Sequence, residues 1–595
     1  MTTKRPSTSR ECAENRTKGK KPNSKGGQSR EGKKARSGSR KKIISYDPAR
    51  LLLSIRKSML SELLPPMENH TGVKPDMAAW FRDPRNYKGP EYINWKPYDY
   101  KCMNQLEKFF KRIILPTDDS YDLVSEKSLH DFIAAQNEFG IRRRTVRLEI
   151  VLRRARRIIS EILGSFDFEK LFDNCSFGKK SATDLPFANS YLDVRVDSTL
   201  NGTTEQLEWF KVALCRDIHL HRACRRGLKK YKTTYTLNVK PVPKAFDKAR
   251  IIAPDSTVGG FLSTGVGLYI RKQLESRTHI RLSTQQNRHK ELALRYSIDG
   301  YGATLDMKRA SDSFIKEHIN VLIPEDWLPA LEVCRSPLGQ IKNLRGEIET
   351  FEFRSCLLMG SGITFPLQTL LFYALAKATM EELGSNAIVD VYGDDIILPS
   401  AFASYVIDIF DDFGLTVNEE KSFVDGPFRE SCGGDYHTGI DVRPFMPELQ
   451  CTSLGKYEYT ELLHKLANGF LERWDYVEIP NTYDLILLEI VRVQGNLCPV
   501  PEQLPTTSGL KFIPDKFEAV VRKPVYKDGI WTYLVLGKKF AKRSPTTERI
   551  YYWYWLHRPW LPPIMPWDDE DVVSQLDKHG KEPQKGVYKY RWADT

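Results

Sequence analysis

The chain is expected to fold as an α+β protein, an antiparallel sheet backed by helices. Two short apolar runs, Ala387-Ile388-Val389 and Ile396-Ile397-Leu398, flank Tyr392-Gly393-Asp394-Asp395 and read as strand, tight turn, strand. A third short strand, Ala303-Thr304-Leu305, ends at Asp306. Between them, Met359-Gly360-Ser361-Gly362 opens a long apolar helix through Leu371 and Phe372.

Residues 1–45 form a basic tail. Its first 42 residues hold 15 Lys/Arg against three Glu, a net +12 of the +14 formal charge, so the rest of the chain is nearly balanced. Met1, Cys12, Ala13 and Ala35 are the only apolar residues among those 42, too few to offset chain entropy, and disorder is expected. Electrostatic RNA binding, contact with acidic or RNA-rich partners, a targeting role and plain solubilisation all remain open.

Residues 46–160 read as largely helical. The runs Arg142-Arg143-Arg144 and Arg153-Arg154-Ala155-Arg156-Arg157 could line a nucleic-acid channel or be exposed helix arginines. Residues 161–300 carry helices and a basic ribbon around Lys244, Lys248 and Arg250. A helix is expected over Glu205 to Lys230. On it Cys215 and His219 share a face while His221 lies about 240° from Cys215, so a regular helix does not gather Cys215, His219, His221 and Cys224 for zinc.

Residues 301–450 carry the chemistry. A strand-end aspartate, Asp306, lies 88 residues before the Asp394-Asp395 turn. Hard divalent cations need clustered oxygen ligands, and two such ions clamp an in-line phosphoryl displacement. This spacing suits a two-metal nucleotidyl transferase. Asp306 is the expected bridging ligand with Asp394 opposite, and Asp395 ligates directly or through water. Asp312 would meet a ribose hydroxyl or cap the next helix. In the Gly-Ser-Gly loop, Gly362 would let backbone approach a nucleotide or strand, while Ser361 and Thr364 offer hydroxyls to a sugar. The apolar stretch from Leu357 to Ala376 is expected to be a helix buried in protein, because Pro366, Gln368 and the glycines argue against a membrane span.

Residues 451–595 include Tyr551-Tyr552-Trp553-Tyr554-Trp555-Leu556-His557-Arg558-Pro559-Trp560, either a base-stacking platform or a buried aromatic element. Ten scattered cysteines without C-x-x-C or a secretory signal suggest reduced thiols in a cytoplasm. At 41% hydrophobic residues the chain has ample material for a core.

The order Asp306, Ser311-Asp312-Ser313, Met359-Gly360-Ser361-Gly362 and Tyr392-Gly393-Asp394-Asp395 resembles motifs A, B and C of RNA-directed RNA polymerases. Gly426-Pro427-Phe428-Arg429-Glu430-Ser431-Cys432-Gly433 and Gly439-Ile440-Asp441-Val442-Arg443-Pro444-Phe445 narrow it. Over residues 238–446 the chain resembles the replicase catalytic (beta) subunits of the single-stranded RNA bacteriophages, the leviviruses of the Q-beta and MS2 type. The resemblance implies a right-hand polymerase, with fingers over 161–300, palm over 301–450 and thumb with C-terminal elements over 451–595. It implies that Asp306, Asp394 and Asp395 bind two magnesium ions, with manganese as a substitute. Lys244 and Arg250 match basic residues facing the incoming triphosphate, and Lys248 stands one residue later than the family lysine. Lys421 matches a motif D lysine that would protonate departing pyrophosphate, against the simpler reading of an exposed lysine beyond Glu419-Glu420. Pro366 and Gln368 depart from the family, where acidic residues stand.

The resemblance further implies primer-independent copying of an RNA template from NTPs in the bacterial cytoplasm, away from membrane, with host elongation factors Tu and Ts as partners. Two other readings stay open: a reverse transcriptase-like polymerase, against which Gly393 and the Phe428–Gly433 run weigh, and a non-catalytic RNA-binding protein on a decayed palm, against which the intact aspartates weigh.

Overall fold

The computed structural model describes residues 46–114, 120–178, 181–183, 185, 195–196, 198–343, 345–450, 454–527, 530–539 and 587–594. The basic tail and the aromatic run at 551–560 lie outside the described residues. The chain is α+β. Its central sheet has three antiparallel strands in the order Asp390–Tyr392, Asp395–Pro399, Gly302–Leu305. The register pairs Tyr392 with Asp395 and Ile396 with Leu305, so Asp306 leaves its strand beside the Asp394-Asp395 turn. The first strand starts later than the apolar run suggests. Ile388 is exposed, and pairing begins only at the buried Asp390.

The helix Thr364–Glu382 lies under this sheet and is buried along nearly its whole length. Apolar residues on all sides explain this, since a helix hydrophobic all round belongs inside a core. Helices Val146–Leu163 and Thr257–Arg277 pack against it within one large core that also includes Val391, Ile396 and Leu398. No helix among the described residues is long and apolar enough to cross a membrane.

A second core joins stretches far apart in sequence. Leu52, Ile55, Met59 and Leu106 pack with Leu463, Phe470, Tyr483 and Ile486. Gln105 ties them together: its Nε2 donates to Phe445 O at 3.0 Å, and its Oε1 accepts from Phe445 N–H at 2.8 Å and from Trp474 Nε1 at 3.0 Å. Residues of two stretches far apart in sequence, 52–106 and 463–486, thus share one core, a pairing that periodicity along the sequence does not show.

One sequence expectation differs from the structure. The helix expected over Glu205 to Lys230 is two helices, Thr204–Arg216 and Ile218–Lys229. They break at Asp217, whose carboxylate accepts from His219 and Leu220 N–H and so starts a new helix. Of the two readings left open for the arginine runs, the structure favours surface arginines, most of them paired with carboxylates. Arg142 and Arg143 pair with Asp411, Arg144 with Glu149 and Glu317, Arg156 with Glu325, and Arg157 with Glu381.

Candidate active site

The Asp394-Asp395 turn is built on Gly393. Its φ of +66° is a left-handed conformation that side chains disfavour, and a Cβ there would meet Phe365 Cε2 at 2.5 Å. Gly393 N–H donates to Thr369 Oγ1 at 3.0 Å, and Phe365 and Tyr392 rings meet edge to face at 4.7 Å. The buried helix therefore fixes the turn that carries the aspartates. Thr369→Val keeps the shape but leaves that N–H unpaired. It is expected to cost about 1–3 kcal/mol of stability and to lower activity, read by melting curves beside nucleotide incorporation.

Asp306 is held from a different direction. The segment Asn418 to Phe423 runs beside its strand, with Phe423 N–H donating to Thr304 O at 2.7 Å and Asp306 N–H donating to Ser422 Oγ at 3.0 Å. Asn418 Nδ2 donates to Asp306 Oδ2 at 2.7 Å, and Lys421 Nζ lies 3.9 Å from the same oxygen. Asp395 Oδ2 accepts from Cys432 N–H at 3.2 Å and from its thiol at 3.3 Å. Cys432 itself sits at φ +50°, a conformation imposed by the tight turn between the strands Phe428–Ser431 and Gly434–His437.

Burial, then the Asp306 charge, raises the Asp394 carboxyl above its usual range, against Lys421 and Lys244. Burial and the Asp394 charge push Asp395 up to about 7, with the Cys432 thiol opposing. These carboxylates feel one another, and their all-oxygen donor set suits a hard divalent cation. The Asp306 and Asp395 side chains are nevertheless held by Asn418 and Cys432. Among the described residues no three His, Cys, Asp or Glu side chains stand close enough to hold an ion as they lie.

The basic ribbon is a hairpin, Lys240–Ala245 paired with Lys248–Ile252 and broken by a bulge near Lys244. Lys244 is drawn below its ordinary pKa, first by burial and then by Arg250 and Lys421, against the pull of Asp306 and Asp394. Lys244, Arg250, Lys421 and the aspartates thus form one electrostatic cluster. Lys248 sits at the hairpin tip, exposed.

Asp312 does not cap the next helix, which begins at Lys316 with Ile315 as its N-cap. The bend between Asp306 and Asp312 is tight enough to hold Arg309 at φ +50°. Ser355 Oγ donates to Asp312 O at 2.5 Å, and Ser311 Oγ donates to its carboxylate at 3.3 Å. Burial pushes the Asp312 carboxyl up to about 7 from 3.8. The folded state then keeps a proton that the unfolded chain releases, so this group lowers stability as pH rises from about 4 to 7. Asp312→Asn is expected to gain a few kcal/mol at pH 8 and nothing at pH 4, measured by denaturant unfolding at both.

The glycine loop makes its close approach to protein. A Cβ at Gly362 would meet Thr264 N at 2.6 Å, and one at Gly360 would meet Ala253 O at 2.8 Å. Gly362 N–H donates to Ser263 Oγ, which donates to Asp255 Oδ2 at 2.5 Å. The Thr364 hydroxyl is buried and donates to Leu358 O at 2.7 Å, so it faces the protein and not a sugar. Ser361 Oγ is buried without a hydrogen-bond partner among the described residues.

Several positioning residues escape a motif reading. Asn418 and Thr369 are ordinary polar residues whose partners lie far away in sequence. Asp390 offers a signal, a lone carboxylate heading an apolar strand. Despite burial, His279 and Arg288 hold it well below the usual carboxylate range, and Arg288 Nε donates to it at 2.6 Å.

Residues 130–487 match the family described as RNA replicase, beta-chain. The chain belongs to the RNA replicase beta-chain family. The RNA-directed RNA polymerase beta chain of Escherichia phage MS2 is 37% identical over 206 residues, covering 34% of this chain and 36% of that protein. The RNA-directed RNA polymerase subunit beta of Qbeta virus (strain MX1) is 34% identical over 308 residues, covering 50% of this chain and 49% of the relative. The chain thus spans between about a third and a half of the length of the curated relatives it matches. Among solved structures, the RNA-dependent RNA polymerase of bacteriophage phi12 aligns over 76% of this chain and 77% of its own, at 10% identity and a TM-score of 0.39. Asp306, Asp394, Asp395 and Lys421 all fall inside the stretch that matches the replicase family.

Proposed function

We propose that the chain is the catalytic subunit of an RNA-directed RNA polymerase that replicates a phage single-stranded RNA genome. The observation that carries this reading is the arrival of Asp306 and Asp394-Asp395 at neighbouring strand ends, faced by the Lys244 and Arg250 hairpin. A 3′-hydroxyl attacks the α-phosphate of a paired NTP, and pyrophosphate leaves. Arg250 binds triphosphate oxygens in bidentate fashion, and Lys244 adds a point charge. Lys421, whose Nζ lies 3.9 Å from Asp306 Oδ2, would give a proton to the leaving pyrophosphate. Ser361 offers an unspent hydroxyl, and Asp312 an acceptor for a ribose hydroxyl.

Asp306 and Asp394, with Asp395 directly or through water, would hold two magnesium ions, which lower the pKa of the attacking hydroxyl and neutralise pyrophosphate. Asn418 and Cys432 keep these carboxylates oriented until then. The subunit starts without a primer and works in the cytoplasm of the bacterial host with elongation factors Tu and Ts. In this reading, residues 161–300 are fingers, 301–450 palm and 451–595 thumb and C-terminal region.

The test is incorporation of labelled ribonucleotides and, separately, deoxyribonucleotides on an unprimed RNA ending in CCA, with and without bacterial extract. Ribonucleotide incorporation alone supports the polymerase. Preference for deoxyribonucleotides would assign a reverse transcriptase instead. Dependence on extract would support the host subunits.

A further inference from the structure

The helix Ile218–Lys229 carries a charge pattern unlike that of the other arginine-rich segments. Leu220, Ala223, Cys224 and Gly227 are buried on one side of it. At about 100° per residue, Arg222, Arg225, Arg226, Lys229 and Lys230 fall in an arc of about 140° on the opposite side. The packed side is fixed, because a Cβ at Gly227 would meet Leu200 Cγ at 2.6 Å and Ser198 O at 2.8 Å. All five basic residues are exposed.

In the two arginine runs, Arg142, Arg143, Arg144, Arg156 and Arg157 all meet carboxylates. Arg225, Lys229 and Lys230 meet none among the described residues. Cations in a last helical turn stabilise the helix dipole, which accounts for Arg226 and Lys229 but not for a stripe beginning a turn earlier. From Ile218 to Phe246 the chain has eight Lys/Arg and no Asp or Glu. The run passes through the short strands Lys232–Thr233 and Thr236–Asn238 into the hairpin strand Lys240–Ala245, where Lys244 responds to the charges of Asp306 and Asp394.

We propose that the exposed face of the helix Ile218–Lys229 binds the phosphate backbone of single-stranded RNA, forming the outer end of a basic track that leads to the catalytic aspartates. Binding is independent of base sequence, because the face offers cations and no built pocket for a base. Naming the bound strand as template rests on the polymerase reading; the RNA-binding face itself does not.

The test uses the full chain with Arg225→Gln, Lys229→Gln and Lys230→Gln combined, and a labelled single-stranded RNA of mixed sequence. Affinity is measured by fluorescence anisotropy across a salt series. The log–log salt slope should become shallower by about 2, at about 0.7 per lost phosphate contact, with affinity at least about tenfold weaker. Arg156→Gln with Arg157→Gln, the ion-paired control, should leave the slope unchanged. If the triple variant fails to melt like wild type, Lys229→Gln with Lys230→Gln at the helix end gives the same readout, with a slope change of about 1.4.

An unchanged slope, or an equal change in the control, would overturn the proposal. Unchanged RNA binding with lost binding of poly-glutamate would assign the face to an acidic protein and overturn it as well. Wild-type nucleotide incorporation, measured separately, shows whether a failure belongs to this track or to the polymerase reading.

Discussion

Asp394→Asn is expected to cut nucleotide incorporation on the order of 10³-fold or more while leaving the fold intact. The side chain keeps its shape, so the hairpin from Asp390 to Pro399 keeps its register. What disappears is one of the carboxylate charges that would face magnesium and the developing phosphate charge. The Asp394 carboxyl is raised by burial and by Asp306, so the native state carries unfavourable like-charge contact there. Removing it should leave thermal stability unchanged or higher. Melting curves beside steady-state incorporation separate the two effects. Parallel loss of stability and activity would make Asp394 structural instead.

Arg429→Met is expected to fail in the opposite way, losing stability first and activity as a consequence. The Arg429 side chain is fully buried. Its Nε donates to Gly302 O at 2.6 Å, Nη1 to Gly426 O at 2.8 Å and Phe428 O at 2.7 Å, and Nη2 to Val424 O at 3.0 Å. The first of these bonds braces the start of the strand Gly302–Leu305, which leads into Asp306, and the others hold the loop from Val424 to Phe428. Methionine fills much of the volume but leaves several buried carbonyls unpaired, at a cost of roughly 3–5 kcal/mol in all. Arg429→Lys should recover little, because an ammonium does not reproduce the planar fork. Denaturant unfolding measures the loss, and residual activity per folded molecule should stay near that of wild type at low temperature.

These two residues show what could be read from the chain and what could not. Asp306 and the Asp394-Asp395 turn were legible because metal chemistry demands carboxylates at strand ends, and short apolar runs beside a glycine mark such ends. Arg429 lay in a recognisable motif, yet nothing local says that its guanidinium turns inward to collect carbonyls. Asn418 and Cys432 orient Asp306 and Asp395 across more than a hundred residues in one case and 37 in the other, distances over which sequence pattern carries no signal. The Gly360 to Gly362 loop was found for the right flexibility but with a different neighbour: its glycines admit Ala253 and Thr264 backbone. Arginine runs were ambiguous for a related reason. Charge density along a helix does not say whether carboxylates such as Asp411 and Glu381 will fold against it. Gln105 and its shared core are invisible to periodicity, because the partners Phe445 and Trp474 lie over 300 residues away.

The most direct test of the central claim is the sequence of the product made on a defined, unprimed single-stranded RNA with magnesium and all four NTPs. The account predicts a complementary RNA strand, one pyrophosphate released per nucleotide added, and no product from the Asp394→Asn chain. A folded chain that binds the RNA and releases no pyrophosphate with or without bacterial extract, or one that adds nucleotides without regard to the template, would contradict it.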